Sequence, residues 1–319
     1  MDLLLAGFSF TALIQQIVSG AGAGAVYATL ALALVLIYRA MDVANFAQGE
    51  MAMFSTYIAY ALVGGDFGLV GAKLGFNGVH LGVAGAFWIG SIVAVVASFG
   101  LGILIERVLI RPFEGAPLLT LVIVTLGLFS MVNGLAGFNW GYVFKTFCCP
   151  FPQSAVNVGG VSFNYTDLGI IGVTMIILAA MALFFRYTKL GLAMRAASLY
   201  PESSRLVGVR TSWMLALGWG LSAAVGAVSG ILVAPVVFLD PNMMQSVLLF
   251  AFAAAVLGGI ESPLGAVVGA LLIGILLAVV GTYVPGGENL RTPFALLIIV
   301  VVLLVRPAGL LGRPETRRV

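Results

Sequence analysis

Four carboxylates stand within or beside long apolar runs of the sequence: Glu50, Glu106, Asp240 and Glu261. An ionisable side chain at membrane depth costs on the order of 2.5–3.5 kcal/mol on insertion scales, so it must face protein or water. In that setting a carboxylate can bind and release a proton or a cation, which is the chemistry of an ion-coupled transporter that works alone. For Glu50, a buried helix-cap or inter-helix hydrogen-bond site is the alternative.

Other kinds of chemistry find little support in the sequence. His80 is the single histidine, which argues against His-based metal or haem sites and against a Ser-His-Asp site. The motif G-x-x-x-x-G-K-S/T does not occur, so we expect no ATP site and no cofactor on this chain. Cys148 and Cys149 are neighbours, and Cα atoms about 3.8 Å apart are too close for an ordinary disulfide, so free thiols are expected. A membrane-embedded enzyme is therefore the least favoured class.

The elements that must position these residues are membrane helices. Hydrophobic residues make up 61% of the 319 residues and charged residues 8%, and the mean hydropathy is +1.15. A bilayer core of about 30 Å needs roughly 20 apolar residues per helix, and the runs here are continuous rather than alternating as in barrel strands. The sequence predicts an all-α polytopic bundle, a single domain of residues 1–312, with nine membrane segments, some of them short or broken. They lie near residues 11–38, 45–63, 84–106, 117–137, 167–186, 212–234, 245–260, 264–284 and 292–306.

The basic residues predict the orientation of the chain, since loops rich in Lys and Arg stay on the cytoplasmic side. Of the 15 basic residues, Lys73, Lys145 and Arg291 lie on one side and the other 12 on the opposite side. Those 12 are Arg39, Arg107, Arg111, Arg186, Lys189, Arg195, Arg205, Arg210, Arg306, Arg313, Arg317 and Arg318. The pattern predicts an N-terminus outside, a long outer loop at residues 138–166, and a cytoplasmic C-terminus with a basic tail at residues 313–319.

Two further expectations follow from the charges. No Lys or Arg precedes Arg39, so the first span lacks the basic start of a cleaved signal and is expected to be retained. The net charge of +3 reflects membrane topology and contact with anionic lipid, so membrane lipid is an expected partner and nucleic acid is not.

Residues 187–211, called the elbow below, form a rare polar stretch on the predicted cytoplasmic side. Apolar residues recur at i, i+3, i+4 and i+7 over residues 190–197, which indicates a short amphipathic helix. Pro201 suits the first turn of a second short helix, near 201–207, and Gly208 suits its end. Two interpretations are open. The helices either rest on the headgroups as positively charged anchors, or dock a soluble partner that pushes on the membrane domain.

The motif NFAQGE at residues 45–50 precedes an apolar run, residues 51–63, that is too short to cross a membrane by itself. If the motif is helical, Asn45 and Gln48 share a face, whereas Glu50 points roughly 200° away from Gln48. The three side chains therefore cannot all line one wall of a pore. All three are candidates for the translocation path or its gate.

Two other segments each have two possible interpretations. Gly258, Gly259 and Glu261 interrupt an apolar run ahead of Pro263, which fits either a broken helix that lines a cavity or a plain turn between helices. Five aromatic residues of the outer loop fit either an interfacial belt or a docking edge for an extracytoplasmic binding protein. They are Trp140, Tyr142, Phe144, Phe147 and Phe151.

Three stretches carry a resemblance to a known family. The elbow sequence TKLGLAMRAASLYPESSRLVGV resembles the cytoplasmic coupling loop of the permease subunits of branched-chain amino acid ABC importers. NFAQGE resembles that family's Asn-Phe-Ala-His-Gly-Glu, with Gln48 in place of the commoner His, so any role that needs a titrating imidazole is absent. LGGIESPLGAVVGALLIGIL at residues 257–276 resembles its glycine-rich hinge, and the resemblance extends over about residues 11–312. In the elbow it is carried by Gly191, Arg195, Ala196, Pro201, Glu202, Arg205 and Gly208.

The resemblance implies a permease subunit in the bacterial cytoplasmic (inner) membrane that does no chemistry of its own. Its elbow would insert into a groove of an ATP-binding subunit, and two such subunits would bind ATP and Mg. A second permease, related or identical, would complete the pore, and an extracytoplasmic solute-binding protein would deliver the cargo. That cargo would be a branched-chain or related amino acid, although relatives with similar motifs carry urea or short amides.

Overall fold

The computed structural model describes residues 10–74, 86–147, 151–152, 154–158 and 161–312. The predictions for His80, Cys148, Cys149 and the basic tail at residues 313–319 lie outside these residues, as do the first two positions of the span predicted at 84–106.

Twelve α-helices lie in the described part of the chain. They are α1 Phe10–Met41, α2 Gln48–Gly64, α3 Gly68–Leu74, α4 Ala86–Ile105, α5 Leu118–Trp140, α6 Tyr165–Tyr187, α7 Lys189–Leu199, α8 Pro201–Leu206, α9 Thr211–Val237, α10 Met244–Gly258, α11 Pro263–Tyr283 and α12 Gly287–Val305. A π-helical turn, Glu106–Ile110, and a 3-10 turn, Arg111–Phe113, extend α4. Strands β1, Ala155–Val158, and β2, Val161–Asn164, pair antiparallel with Ala155 opposite Asn164.

Each of the nine predicted membrane segments coincides with a helix. Seven described helices are long and apolar enough to cross a membrane, which confirms the all-α polytopic bundle. The other two, α2 with 17 residues and α10 with 15, are the short segments that the sequence predicted. At about 1.5 Å per residue they reach roughly 25 and 22 Å, less than a bilayer core of about 30 Å.

The described part of segment 138–166 contains more regular structure than the predicted loop. Helix α5 continues to Trp140 and ends at Gly141, whose φ is +76°. The β1–β2 hairpin occupies the end of the segment, and its alternating Val positions fit a strand. The prediction of a long loop did not include this hairpin, because a short hairpin leaves only a weak pattern in the sequence.

The described residues form two compact units. The first comprises the described parts of Met1–Val35, Phe151–Ile176 and Ser246–Val319. Within it α1 and α11 touch through their backbones, since a Cβ on Gly20 would lie 2.7 Å from the Cα of Ile275, and one on Gly24 would lie 2.9 Å from the Cα of Leu271. Small residues allow such approaches between membrane helices, where dispersion contacts rather than water drive association.

The second unit, Leu36–Pro150 and Ile177–Gln245 in its described parts, holds both the elbow and the NFAQGE motif. Helices α2, α4 and α9 pack against one another in it. Tyr57, Met51 and Trp219 are fully buried there. Gly102 lets α4 approach α9, since a Cβ on it would lie 2.8 Å from the Cβ of Ala223. This tight packing holds the ends of α2 and α9, which carry the motif and the elbow.

Candidate functional site

The elbow folds into two short helices, α7 and α8, as the sequence predicted. Thr188 caps α7, because its Oγ1 accepts a hydrogen bond of 2.9 Å from the amide of Gly191. Gly191 rests on the end of α6, where a Cβ would lie 2.7 Å from the Cα of Phe185 and closer still to the carbonyl oxygen of Phe184. This position therefore requires glycine, because a side chain would prevent the close approach of α7 to α6.

One face of α7 is fastened to the membrane helices of its unit. Met194 is buried, and Ser198 Oγ donates a hydrogen bond to the carbonyl of Arg39 at the end of α1. Arg195 lines a cavity beside Phe185, and its Nε is buried with no hydrogen-bond partner among the described residues. The expected apolar stripe is only partly covered, and α7 is held mainly at Gly191, Met194 and Ser198.

The far end of the elbow is exposed. Glu202 and Arg205 approach to 3.8 Å, and Arg205 Nε donates 3.0 Å to Thr211 Oγ1. Gly208 ends the segment with φ +84°, a left-handed conformation that favours glycine. Four apolar side chains project from this end with exposed fractions of 64, 68, 90 and 79%: Leu199, Tyr200, Leu206 and Val207. Ala196 lies between the two parts and is half-buried.

The NFAQGE motif forms a buried hydrogen-bond network between α2 and α9. Asn45 Nδ2 donates to Gln48 Oε1 at 3.2 Å, and Asn45 Oδ1 accepts from the amide of Ala47 at 3.0 Å. Gln48 Nε2 donates to the carbonyl of Ser222 at 3.0 Å, and Ser222 Oγ donates back to Gln48 Oε1 at 3.1 Å. Asn45, Gln48 and Ser222 are each at most 1% exposed. Helix α2 begins at Gln48, so Asn45 lies before the helix and the condition for a shared helical face is not met. The two side chains meet through a hydrogen bond instead, and Gln48 joins α2 to α9.

Glu50 points to a different partner, as its spacing from Gln48 predicted. It is 1% exposed, and Asn133 Nδ2 of α5 donates to its Oε2 at 3.3 Å. The same Nδ2 lies 2.9 Å from the carbonyl of Pro241, and Asn133 Oδ1 accepts from Tyr142 OH at 3.0 Å. Among the described residues no basic group lies within 4.0 Å of Glu50. The Glu50 carboxyl therefore lacks a paired charge that would offset the cost of its desolvation.

The four carboxylates within or beside the apolar runs differ in their surroundings. Glu106 is fully buried at the start of the π-helical turn, and neither of its carboxylate oxygens has a partner among the described residues. Asp240 is partly exposed, and Glu261 is exposed. The structure thus leaves two buried carboxylates, Glu50 and Glu106, both in the second unit.

The break at Gly258 and Gly259 is a tight turn closed by hydrogen bonds. Gly259 has φ +109°, and Ser262 Oγ accepts from the amide of Gly265 at 3.1 Å to cap α11. A Cβ on Gly258 would collide with the backbone of Gly265. The carbonyl of Gly258 accepts from the amide of Leu311 at 3.0 Å. This carbonyl, which a broken helix would leave unpaired, is therefore satisfied in the structure.

Asp66 and Lys145 form an ion pair that the sequence did not predict. Lys145 Nζ lies 2.7 Å from Asp66 Oδ2, and Asp66 Oδ1 accepts from the amide of Gly68 at 2.9 Å. Burial alone raises the pKa of the Asp66 carboxyl, but the hydrogen bonds from Lys145 and Gly68 outweigh it and hold that pKa below its ordinary value. Trp140 stacks on Tyr57 at 4.6 Å between ring centroids and donates 3.0 Å to the carbonyl of Asp66. These residues tie the end of α5 to the end of α2.

The loop aromatics divide into packed and exposed members. Phe147 is buried with its ring centroid 5.4 Å from that of Phe87, and Phe151 packs on Gly169. Tyr142 and Phe144 are 59 and 73% exposed. Only the exposed pair is free to meet lipid or a docked protein.

The sequence profile described as "Branched-chain amino acid transport system / permease component" matches residues 16–305. The high-affinity branched-chain amino acid transport system permease protein LivH of Escherichia coli is 31% identical over 317 residues, 97% of this chain and 99% of the relative. BraD of Pseudomonas aeruginosa, which bears the same description, is 30% identical over 96% of this chain and 98% of its own. A probable LivH of Methanocaldococcus jannaschii is 26% identical, over 89% and 87%.

One solved structure, PsaBC from Streptococcus pneumoniae in complex with Fab, overlaps 95% of this chain and 94% of its own at 14% identity. Its TM-score of 0.44 is too low to support an argument. The family match covers most of the chain, and the near full-length similarity to LivH and BraD agrees with it. The chain therefore belongs to the family of permease components of branched-chain amino acid transport systems.

Proposed function

We propose that this chain is the membrane permease subunit of an ABC importer and forms part of the translocation path for branched-chain or related amino acids. The proposal rests on the family match over residues 16–305. It is supported by relatives whose names specify branched-chain amino acid transport and by the run of membrane-crossing helices. A transport permease is not itself a catalytic enzyme. ATP and Mg are assigned to two separate ATP-binding subunits, because the chain has no Walker motif.

The elbow is the proposed contact with those subunits. Its anchored side, at Gly191, Met194 and Ser198, makes it move with the membrane helices of its unit. Its other end offers exposed apolar side chains rimmed by Glu202 and Arg205, which is the composition of a protein interface with an apolar centre and a polar rim. Closure of the ATP-binding subunits would push this end and switch access to the pore.

The remaining assignments belong to the same proposal. Residues 1–312 act as one transmembrane domain in the bacterial inner membrane, with the N-terminus outside and the C-terminus inside. A second permease, related or identical, completes the pore, and an extracytoplasmic binding protein docks near the outer loop 138–166. The candidates for gating are the α2 motif with its bonds to α9, and the turn between α10 and α11: Asn45, Gln48, Glu50, Gly258, Gly259 and Glu261.

The experiment has two parts. The chain is purified in mild detergent from its native membrane, and its companions are identified by mass spectrometry; ATP-binding subunits and a second permease are expected. The complex is then reconstituted with its binding protein, and uptake of leucine, isoleucine and valine is compared with uptake of urea and acetamide. Uptake of urea alone would replace the cargo assignment, and a chain that transports while purified alone would refute the importer.

A double substitution tests the proposed contact between the elbow and the ATP-binding subunits. Leu206→Ala with Val207→Ala removes two side chains that are 90 and 79% exposed, so folding should be unaffected. Truncating an interface anchor costs more than about 1 kcal/mol, which is about fivefold in affinity, so ATP-driven uptake should fall about fivefold or more. Val284→Ala, an exposed apolar side chain outside the elbow, is the matched control. Equal uptake by both variants would contradict the assigned contact.

A further inference from the structure

Four arginines converge on one cleft of the second unit. Arg107 and Arg111 come from the end of α4, and Arg205 and Arg210 come from the elbow. Trp213, in the first turn of α9, forms part of the wall, and the cleft has a volume of about 610 Å³. Among the described residues no acidic side chain lines it. Two segments far apart in the sequence thus bring like charges together.

The charges in the cleft are only partly neutralised. Arg107 stacks over the ring of Trp213 at 4.3 Å, and Arg205 is shared between Glu202 and a hydroxyl. In the described part of the chain no carboxylate lies within 4.0 Å of Arg107, Arg111 or Arg210. Glu106, directly beside Arg107 in the chain, interacts electrostatically with Arg107 and Arg111, but it is buried and does not line the cleft. An anion is therefore the natural occupant, because neighbouring guanidinium groups repel one another without one.

The surface beside the arginines is apolar. Leu104 and Val108, one turn apart at the end of α4, are 56 and 60% exposed, and Phe113 is 39% exposed. Arg suits phosphate because its planar fork makes paired hydrogen bonds, and a Trp beside it is typical of the membrane interface. A phosphate group with attached acyl chains fits both parts of this surface, whereas a free anion uses only the basic part.

We propose that the cleft binds the phosphate of an anionic phospholipid of the cytoplasmic leaflet, with its acyl chains along Leu104 and Val108. Basic pockets between membrane helices on the cytoplasmic side take such headgroups. The lipid would bridge the end of α4 to the elbow and so hold the elbow at the membrane surface. The inference goes beyond the proposed function and rests only on the orientation that places the elbow in the cytoplasm.

The test measures lipid binding by the purified full-length transporter. Native mass spectrometry and thermal unfolding are recorded with graded phosphatidylglycerol or phosphatidylcholine, and separately with inorganic phosphate. The variant Arg107→Gln with Arg111→Gln is compared with Arg186→Gln and Arg306→Gln, which remove the same charge elsewhere on the same predicted side. Since an arginine near an anionic surface contributes about fivefold to binding, the first pair should weaken phosphatidylglycerol binding about 25-fold and the control pair should not.

The outcomes are distinct. Preference for phosphatidylglycerol that is lost in the Arg107 and Arg111 variant supports the proposal. Equal binding of phosphatidylcholine, equal losses in the control pair, or equal protection by inorganic phosphate would each overturn it. Arg210→Gln, an exposed side chain, gives a second test if the double variant does not fold. Because no transport is measured, failure of the importer assignment leaves this result unaffected.

Discussion

Replacement of Gly191 by Ala tests whether the position of the elbow is set by backbone contact with α6. The new Cβ would lie 2.7 Å from the Cα of Phe185, whereas non-bonded carbon atoms attract best at about 3.5–4.0 Å. Helix α7 must therefore move by about 1 Å or accept the strain. Overpacking of this kind costs roughly 1–3 kcal/mol, and we expect the free energy of unfolding to fall by that amount.

The displacement of α7 should also lower the efficiency of transport. Thr188 caps α7 and Ser198 bonds the carbonyl of Arg39, so a shift at Gly191 loosens both attachments. The expected phenotype is a complex that still assembles and hydrolyses ATP but transports fewer molecules per ATP. The assay is uptake and ATP hydrolysis in the same proteoliposomes, with chemical or thermal unfolding of the purified complex as the stability measure.

Gly172→Ala is the matched control. Gly172 lies on α6, the helix that Gly191 contacts, and a Cβ at Gly172 meets nothing within 4 Å. Alanine in a helix interior is about 0.5–1 kcal/mol better than glycine, so this variant should be neutral or slightly stabilised. If Gly191→Ala shows the stability and the transport ratio of Gly172→Ala, close contact does not position the elbow and the reasoning is refuted.

Two further predictions concern the polar contacts of α2 and the ion pair between Asp66 and Lys145. Gln48→Ala should lower the free energy of unfolding by about 2–3 kcal/mol, because it removes the two buried hydrogen bonds that join Gln48 to Ser222. Ser55→Ala, which removes one bond to a carbonyl of its own helix, should cost less than about 1 kcal/mol, and equal losses in chemical unfolding would argue against the α2–α9 link. The pKa of Asp66 is lowered in the folded state, so its ion pair with Lys145 contributes stability above the ordinary pKa near 3.8 and loses it as the pH falls through the lower folded value. The unmodified chain should therefore have a higher unfolding midpoint than Asp66→Asn at neutral pH, and this difference should disappear in acid. A difference that does not change with pH would contradict the prediction.

The membrane helices and the elbow could be predicted from the sequence because their signals are local. Long apolar runs mark the spans, and Pro201 and Gly208 mark the ends of α8. The separation of Gln48 from Glu50 likewise followed from the helical angle between neighbouring positions. Each of these inferences needs only a few adjacent residues.

The partners of the polar residues could not be predicted, because they come from distant parts of the chain. Asn133, which donates to Glu50, is 83 positions away, and Ser222, which bonds Gln48, is 174 positions away. Lys145 was counted only for its charge, although it pairs with Asp66 and its backbone pairs with that of Leu239. The basic cleft was missed for the same reason, since Arg107 and Arg205 share no local pattern.

The way in which the elbow is attached bears on how importers can be rebuilt. Gly191 rests on backbone atoms and Ser198 bonds a carbonyl, so the attachment uses almost none of the exposed side chains. Leu199, Leu206 and Val207 are exposed and do not contribute to this attachment. Under the proposed contact of the elbow with an ATP-binding subunit, these side chains could be changed to recognise a different ATPase while the helices beneath keep their geometry, which would create orthogonal transporter pairs within one cell.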